Sequence, residues 1–422
     1  MLLVWLASYF FYLVGPIKFY PGLSIKGSLF IFSSIIVFIL GSLPLINRKK
    51  NYNQSQLKDC LKNKDCISQV DNSLMLIGIL GTFFLIVDKL IFLNEFNLSS
   101  FSELRAAQAI TVRDADSIIL SDIDPLKIGY FLYPAGFVAA VSFWLNFEFV
   151  KRYQKIMLFI FTFMIITLNV FSGQRSIMFI FILFILTACY VRTFFASFMP
   201  RNKLIKLIGS LGLLFSILYS STIFEIRSGS ESLPLYLDRM DETWNTIVKP
   251  EWLFLMQTLL PDKSIKFVVS SFSYFLQNLS VTDKIFLLDN PKFLYGGYSS
   301  DLIASLFRIF YSSTEYLQAS NLALLEENIY GFFSGSWAGT YLDFGIFAYL
   351  IFFLWGRLSG SIYRNVRDVK AHHFNVLFVF VIFFILISPI SNPFGFSNSL
   401  MTIFWVMIYA FFASRRQIFS KR

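Results

Sequence analysis

Apolar runs recur along this chain, most of them close to twenty residues, the length that spans a hydrocarbon core of roughly 30 Å. Ten can be marked, at 1–14, 28–46, 73–94, 128–146, 156–171, 176–196, 204–223, 337–357, 375–393 and 400–413. No water serves backbone N–H and C=O groups inside a bilayer, so each such run must close its own hydrogen bonds as a helix. A transmembrane barrel would instead show alternating segments of about ten residues. Hydrophobic residues make up 56% of the 422, charged residues 15%, and mean hydropathy is +0.63. A soluble chain of this length carries far more polar surface. The reading is an all-α polytopic membrane protein of about ten transmembrane helices, a single integral membrane domain over 1–422. Residues 224–336 form one large loop with no convincing span.

Charge orients the spans, because Lys and Arg concentrate in short cytoplasmic loops. Segment 47–72 holds Arg48, Lys49, Lys50, Lys58, Lys62 and Lys64, and 147–155 holds Lys151, Arg152 and Lys155. Arg201, Lys203 and Lys206 follow the sixth span, Arg364, Arg367 and Lys370 follow the eighth, and the tail ends on Arg415, Arg416, Lys421 and Arg422. The intervening loops are acidic. Segment 95–126 sets Glu95, Glu103, Asp114, Asp116, Asp122 and Asp124 against Arg105 and Arg113, and 224–336 carries 13 acids against 8 bases. The net charge of +10 is therefore a basic cytoplasmic face and not a nucleic-acid signal. Both termini are expected in the cytoplasm and 224–336 outside it. The first run lacks a basic n-region and a small-residue cleavage site, so it reads as an uncleaved span.

Several chemistries are set aside. Cys60 and Cys66 share a polar loop with no His or second Cys pair nearby, and Cys189 lies in a span, so neither a zinc site nor a structural disulfide is expected. His372 and His373, the only histidines, fall in a cytoplasmic loop. No phosphate-binding glycine loop follows a strand. Asp114/Asp116 and Asp122/Asp124 come closest to a divalent-cation cluster and are not read as one. No metal and no cofactor is expected. No internal repeat of the kind found in many transporters is evident.

Arginine remains. Ser172-Gly173-Gln174-Arg175 is the whole outer turn between the fifth and sixth spans. Arg175 there either snorkels from a span end or, with helix N-terminal amides, binds an anion such as phosphate. Arg105, Arg227 and Arg308 are similar candidates in the outer loops, each with a surface or snorkelling alternative. Asp343, in Tyr341-Leu342-Asp343-Phe344-Gly345 at the opening of the eighth span, is an ionisable residue inside the membrane. That marks either function or an ion pair with a neighbouring arginine. Within 265–281, Phe267, Phe272, Phe275, Leu276 and Leu279 can share one helical face. Such a helix either rests in the outer interface or packs against the spans.

YLDFG at 341–345, the preceding YGGYSSDLIASLFR, the SGQR turn and the SELRAAQ segment together resemble Wzy-type O-antigen or oligosaccharide repeat-unit polymerases. The likeness extends to the span count and the large late outer loop, with Phe307 standing where that family often has Pro. The resemblance implies a fold like the GT-C membrane glycosyltransferases in the bacterial inner membrane. It implies a substrate of oligosaccharide units on undecaprenyl pyrophosphate, joined by glycosyl transfer with the lipid pyrophosphate as leaving group. A chain-length regulator and a flippase are the implied partners beside the lipid bilayer. On that reading Arg175 and Arg308, then Arg105 and Arg227, grip the pyrophosphate in forked geometry without a metal. Asp343, Asp301 and Glu315 are candidates for the base or orienting carboxylate. Trp244, Trp252, Tyr295, Tyr298 and Trp337 either stack on sugar rings or anchor the interface. Two competing classes are weighed. An O-antigen ligase is expected to use a His in its large outer loop, and this chain has none there. A lipid-linked oligosaccharide flippase or transporter usually has about twelve spans, short loops and two-fold internal similarity.

Overall fold

The computed structural model describes residues 3–46, 69–96, 125–172, 176–194, 231–288, 293–298, 335–368, 372–393 and 397–419, with 214, 221 and 224. The fold is almost wholly helical. Among the described residues four stretches have the length and composition to cross a membrane: Ile25–Leu45, Gln69–Ile91, Arg152–Ser172 and Ser336–Arg367. Shorter apolar helices run over Leu3–Val14, Gly129–Leu145, Ile177–Thr193, His373–Ile387 and Ser399–Ser414. The seventh expected span, 204–223, lies outside the described residues apart from isolated positions.

The chain divides into two compact units. One comprises Met1–Lys49, Ser228–Arg364 and Val381–Leu400; the other comprises Lys50–Arg227, Asn365–Phe380 and Met401–Arg422.

In the first unit, α1 (Leu3–Val14) and α2 (Ile25–Ile46) run antiparallel, with Trp5 against Phe38 and Tyr9 against Phe32. Between them β1 (Ile17–Phe19) pairs antiparallel with β2 (Thr246–Val248), Ile17 opposite Val248 and Phe19 opposite Thr246. Around β2 the stretch expected to be a loop is helical: α8 (Leu233–Trp244), α9 (Pro250–Leu259) and α10 (Asp262–Phe286). Of the two readings of 265–281, the helix packs on neighbours, namely α1, α2 and α11 (Ser336–Phe344). The apolar stripe assigned from sequence needs correction. Leu276 and Leu279 are buried, but Phe267, Phe272 and Phe275 are only half-buried, and Ile265, Val269, Ser273, Asn278 and Ile285 complete the covered face. Small and polar side chains let α10 approach its neighbours closely, and the bulkier rings are left at its flanks.

The eighth span is also longer than its apolar core suggests, and it is broken. α11 stops at Phe344, a single 3-10 turn covers Gly345–Phe347, and α12 (Ala348–Arg367) continues. Gly345 has φ +54°, a left-handed value that suits glycine. α12 runs parallel to α2: Ser33 Oγ meets Tyr349 Oη at 2.9 Å, and the α2 backbone at Phe38 and Ser42 lies against Gly356 and Gly360. This Gly-x-x-x-Gly spacing allows close backbone approach between helices.

In the second unit α5 (Pro134–Leu145) is buried on every side, as expected of a helix apolar all round. Its entry is irregular: Pro125–Ile128 is 3-10, α4 covers Gly129–Leu132, and Pro134 opens α5. α3 (Gln69–Phe96) crosses it where Gly78 meets Gly136. α6 (Arg152–Ser172) and α7 (Ser176–Phe194) close the group, with Phe137, Phe161, Phe181 and Phe184 in mutual ring contact. Asn72 at the start of α3 bonds Gln154 at the start of α6, at 2.7 Å. Arg192 near the end of α7 pairs with Glu148 and donates to the Trp144 and Leu145 carbonyls beside the end of α5. Two further described helices are α13 (His372–Ile387) and α14 (Ser397–Phe419).

Candidate functional site

The chemistry-bearing residues that the structure describes gather around α11. Its nine residues begin and end in hydrogen bonds to distant parts of the first unit. At the N-terminus the Gly335 N–H donates to Asn278 Oδ1 at 2.5 Å, and the Ser336 N–H donates to the Ser388 carbonyl at 3.0 Å. These serve two of the amides that every helix start leaves without intrahelical partners. Ser388 is held in turn by Trp5, whose Nε1–H donates to Ser388 Oγ at 2.6 Å, and Trp5 packs edge-on against Trp337.

At the other end, the turn 293–298 folds back onto the last residues of α11. Leu294 N–H donates to the Leu342 carbonyl at 3.1 Å and Tyr295 N–H to the Asp343 carbonyl at 2.9 Å. The Tyr298 N–H donates to Asp343 Oδ1 at 2.9 Å. Tyr295 and Gly296 both have positive φ, at 48° and 97°, which makes the turn tight enough to present three amides to one helix end. A β-carbon at Gly345 would run into the Phe293 ring, so the turn and the helix break fit one another. Below them Val281 and Ile285 of α10 pack with Ala338 and Leu342 of α11, and Tyr298 and Tyr341 lie against that cluster.

Asp343 is therefore fully buried at the end of a half-helix and receives a backbone N–H. It does not sit in the middle of a continuous span. A carboxylate so held is oriented by its amide partner and stands where the helix backbone is interrupted. Interrupted helices are where membrane proteins place polar backbone and ligand groups.

Among the other candidates, Trp337 is wholly enclosed and packs on Trp5. It is a candidate either to stack on sugar or to anchor the interface, and in this structure its ring meets Trp5 edge-on. Trp252 is partly exposed and its Nε1–H donates to the Val14 carbonyl at 3.2 Å, so it sits at the end of α1. Trp244 closes α8, and the placement of its side chain lies outside what is described. Arg105, Arg175, Arg227, Arg308, Asp301 and Glu315 all lie outside the described residues. The expected arginine cluster thus has no geometry here.

Sequence reasoning missed three supporting groups. Asn278 fixes the start of α11. Asp283 receives the Ser24 N–H at 2.9 Å and Ser24 Oγ–H at 2.5 Å, while Ser24 Oγ accepts the Gly27 N–H, so α10 holds the N-cap of α2. Lys266, also buried, donates to the Glu231 carbonyl. On α8, burial pushes the Tyr236 hydroxyl above its ordinary pKa, which keeps it a neutral hydrogen-bonding group. The available signal was polar residues spread among the apolar ones of 265–286, a pattern that reads equally well as solvent exposure.

Comparisons with family models, curated proteins and solved structures gave no match.

Proposed function

We propose that this chain polymerises oligosaccharide repeat units carried on undecaprenyl pyrophosphate, at the outer face of a bacterial inner membrane. The fold in this reading has about ten spans, is like the GT-C glycosyltransferases, and keeps both termini in the cytoplasm. One observation carries it. The YGGY turn and the YLDFG stretch, two of the four motifs behind the family resemblance, are hydrogen-bonded to each other around a buried carboxylate. The helix directions agree with the alternation of basic and acidic loops: α1 opposes α2, and α12 follows α2.

In the proposed reaction a hydroxyl of the incoming lipid-linked unit attacks the anomeric carbon of the growing chain. The bond from that carbon to the pyrophosphate oxygen breaks, and the leaving group departs with the electron pair. The hydroxyl proton passes to a carboxylate, with Asp343 first among Asp343, Asp301 and Glu315. Arg175 and Arg308, supported by Arg105 and Arg227, neutralise the departing pyrophosphate. A lost donor of this kind costs roughly 10²–10³ in rate by analogy with oxyanion donors.

The test uses cells in which this gene is the sole source of polymerising activity. Arg175→Ala is expected to abolish polymer while single repeat units still reach the surface. Arg175→Lys is expected to rescue poorly, because an ammonium lacks the guanidinium fork. Normal long polymer from Arg175→Ala removes that residue from the site. Loss of single units together with polymer points to a flippase instead.

A further inference from the structure

The short helix α9 lies across the end of α1, and its contacts show which way its flanks face. The last carbonyls of a helix have no intrahelical donors. Here Leu13 O receives Lys249 Nζ at 2.9 Å, and Val14 O receives Trp252 Nε1 at 3.2 Å. The Lys249 N–H also donates to the Pro16 carbonyl at 2.8 Å. A cation at a helix C-terminus is favourable for the macrodipole, so α9 begins as a cap on α1. Because α1 and α2 are antiparallel, Val14 is level with Ile25, the first residue of the candidate span Ile25–Leu45. The cap therefore sits at the boundary of a membrane-crossing helix.

The flank of α9 that carries Trp252 continues in Leu255 and Leu259, at i, i+3 and i+7. Their exposures are 37%, 46% and 69%. Met256, at 6%, faces the protein, Gln257 points about 160° away from Leu255 at 100° per residue, and Phe254, 75% exposed, stands between them about 100° from Leu255. Trp252 reaches down to the α1 carbonyls, so Leu255 and Leu259 face the same way, toward the side on which the exposed Leu13, Val14 and Ile25 lie. An apolar flank in water would be costly at these exposures. A flank with an indole at one end and leucines along it suits the headgroup–acyl boundary.

We propose that α9 is an interfacial helix, seated on the bilayer surface with Trp252, Leu255 and Leu259 in contact with lipid. This assignment is separate from the proposed activity and is tested without it. Leu255→Cys, Leu259→Cys and Gln257→Cys are made singly in the full chain, with Cys60, Cys66 and Cys189 replaced by Ser. Each is labelled with an environment-sensitive NBD fluorophore and reconstituted into phosphatidylcholine vesicles, with and without nitroxide-bearing lipid. The expected result is blue-shifted emission and strong quenching by shallow nitroxides at 255 and 259, with neither at 257. Water-like emission at 255 and 259 overturns the proposal. Blue-shifted emission there without lipid quenching also overturns it, because it means a protein partner covers the flank. A charged thiol reagent applied to unlabelled protein in native membranes supplies the second measurement. Slow reaction at 255 and 259 relative to 257 is expected, and equal rates refute the seating.

Discussion

Asp343 and Gly345 show how a few atoms fix one end of a helix. Asp343→Ala removes the acceptor of the part-buried Tyr298 amide, an effect of about 1 kcal/mol by the usual net contribution of one hydrogen bond. Asp343→Asn keeps an acceptor oxygen there but cannot take up a proton at neutral pH. The two variants separate structure from chemistry. In a thermal-unfolding assay in detergent, Asn is expected to stay near the wild-type midpoint and Ala to fall below it. Both are expected to make no polymer, and polymer from Asp343→Asn excludes the carboxylate as base. Gly345→Ala combines a left-handed backbone with a clash against Phe293, so it is expected to destabilise by more than the ~1 kcal/mol typical of such glycine losses. An unchanged midpoint in the same assay counts against the fitted turn. Asp343 was visible in the sequence because an ionisable residue in an apolar run stands out. Asn278 was not, because its partner is a backbone amide 57 residues away.

At the level of elements, most of the described helices lie where the apolar runs placed them, since length and hydrophobicity suffice for that. Which face of a helix is covered was harder to read. In α10 the phenylalanines drew attention, while the contact face is built from Ile265, Val269, Ser273 and Leu276. Lipid and core are both apolar, so bulk alone does not separate them. The break at Gly345 was likewise hidden within a span, and the 3-10 entry at Pro125 fell at the edge of the acidic loop before one. Close approach of α12 to α2 is expected to be sensitive to size. Gly356→Leu would push against the backbone at Phe38, and a drop in melting temperature larger than that of a leucine placed at the exposed Phe347 is the measurement that checks it. Equal effects would mean that the seam tolerates bulk.

For the molecule as a whole, charge in the loops gives an expectation for the sides of the membrane, but nothing in the sequence paired residues 17–19 with 246–248. Three-residue strands carry too little periodic signal to be read. The ribbon offers a test of both pairing and side. Lys18 and Ile247 are directly opposite, and antiparallel partners lie about 4.5–5.5 Å apart at Cα, within disulfide range. The double variant Lys18→Cys, Ile247→Cys is expected to cross-link spontaneously in cells with an oxidising periplasm and to remain reduced when disulfide formation there is disabled. Failure to cross-link in the oxidising cells, with cross-linking once a membrane-permeant oxidant is added, places the ribbon in the other compartment.

Trp5 holds Ser388 across 383 positions of sequence. At a synthesis rate of about 5–20 residues per second, the partner of that indole emerges roughly 20–80 s after the tryptophan itself. The helix that carries Trp5 is only twelve residues long, and it must wait that interval for this hydrogen bond. A short apolar segment is therefore inserted well before the partner that locks it has been made.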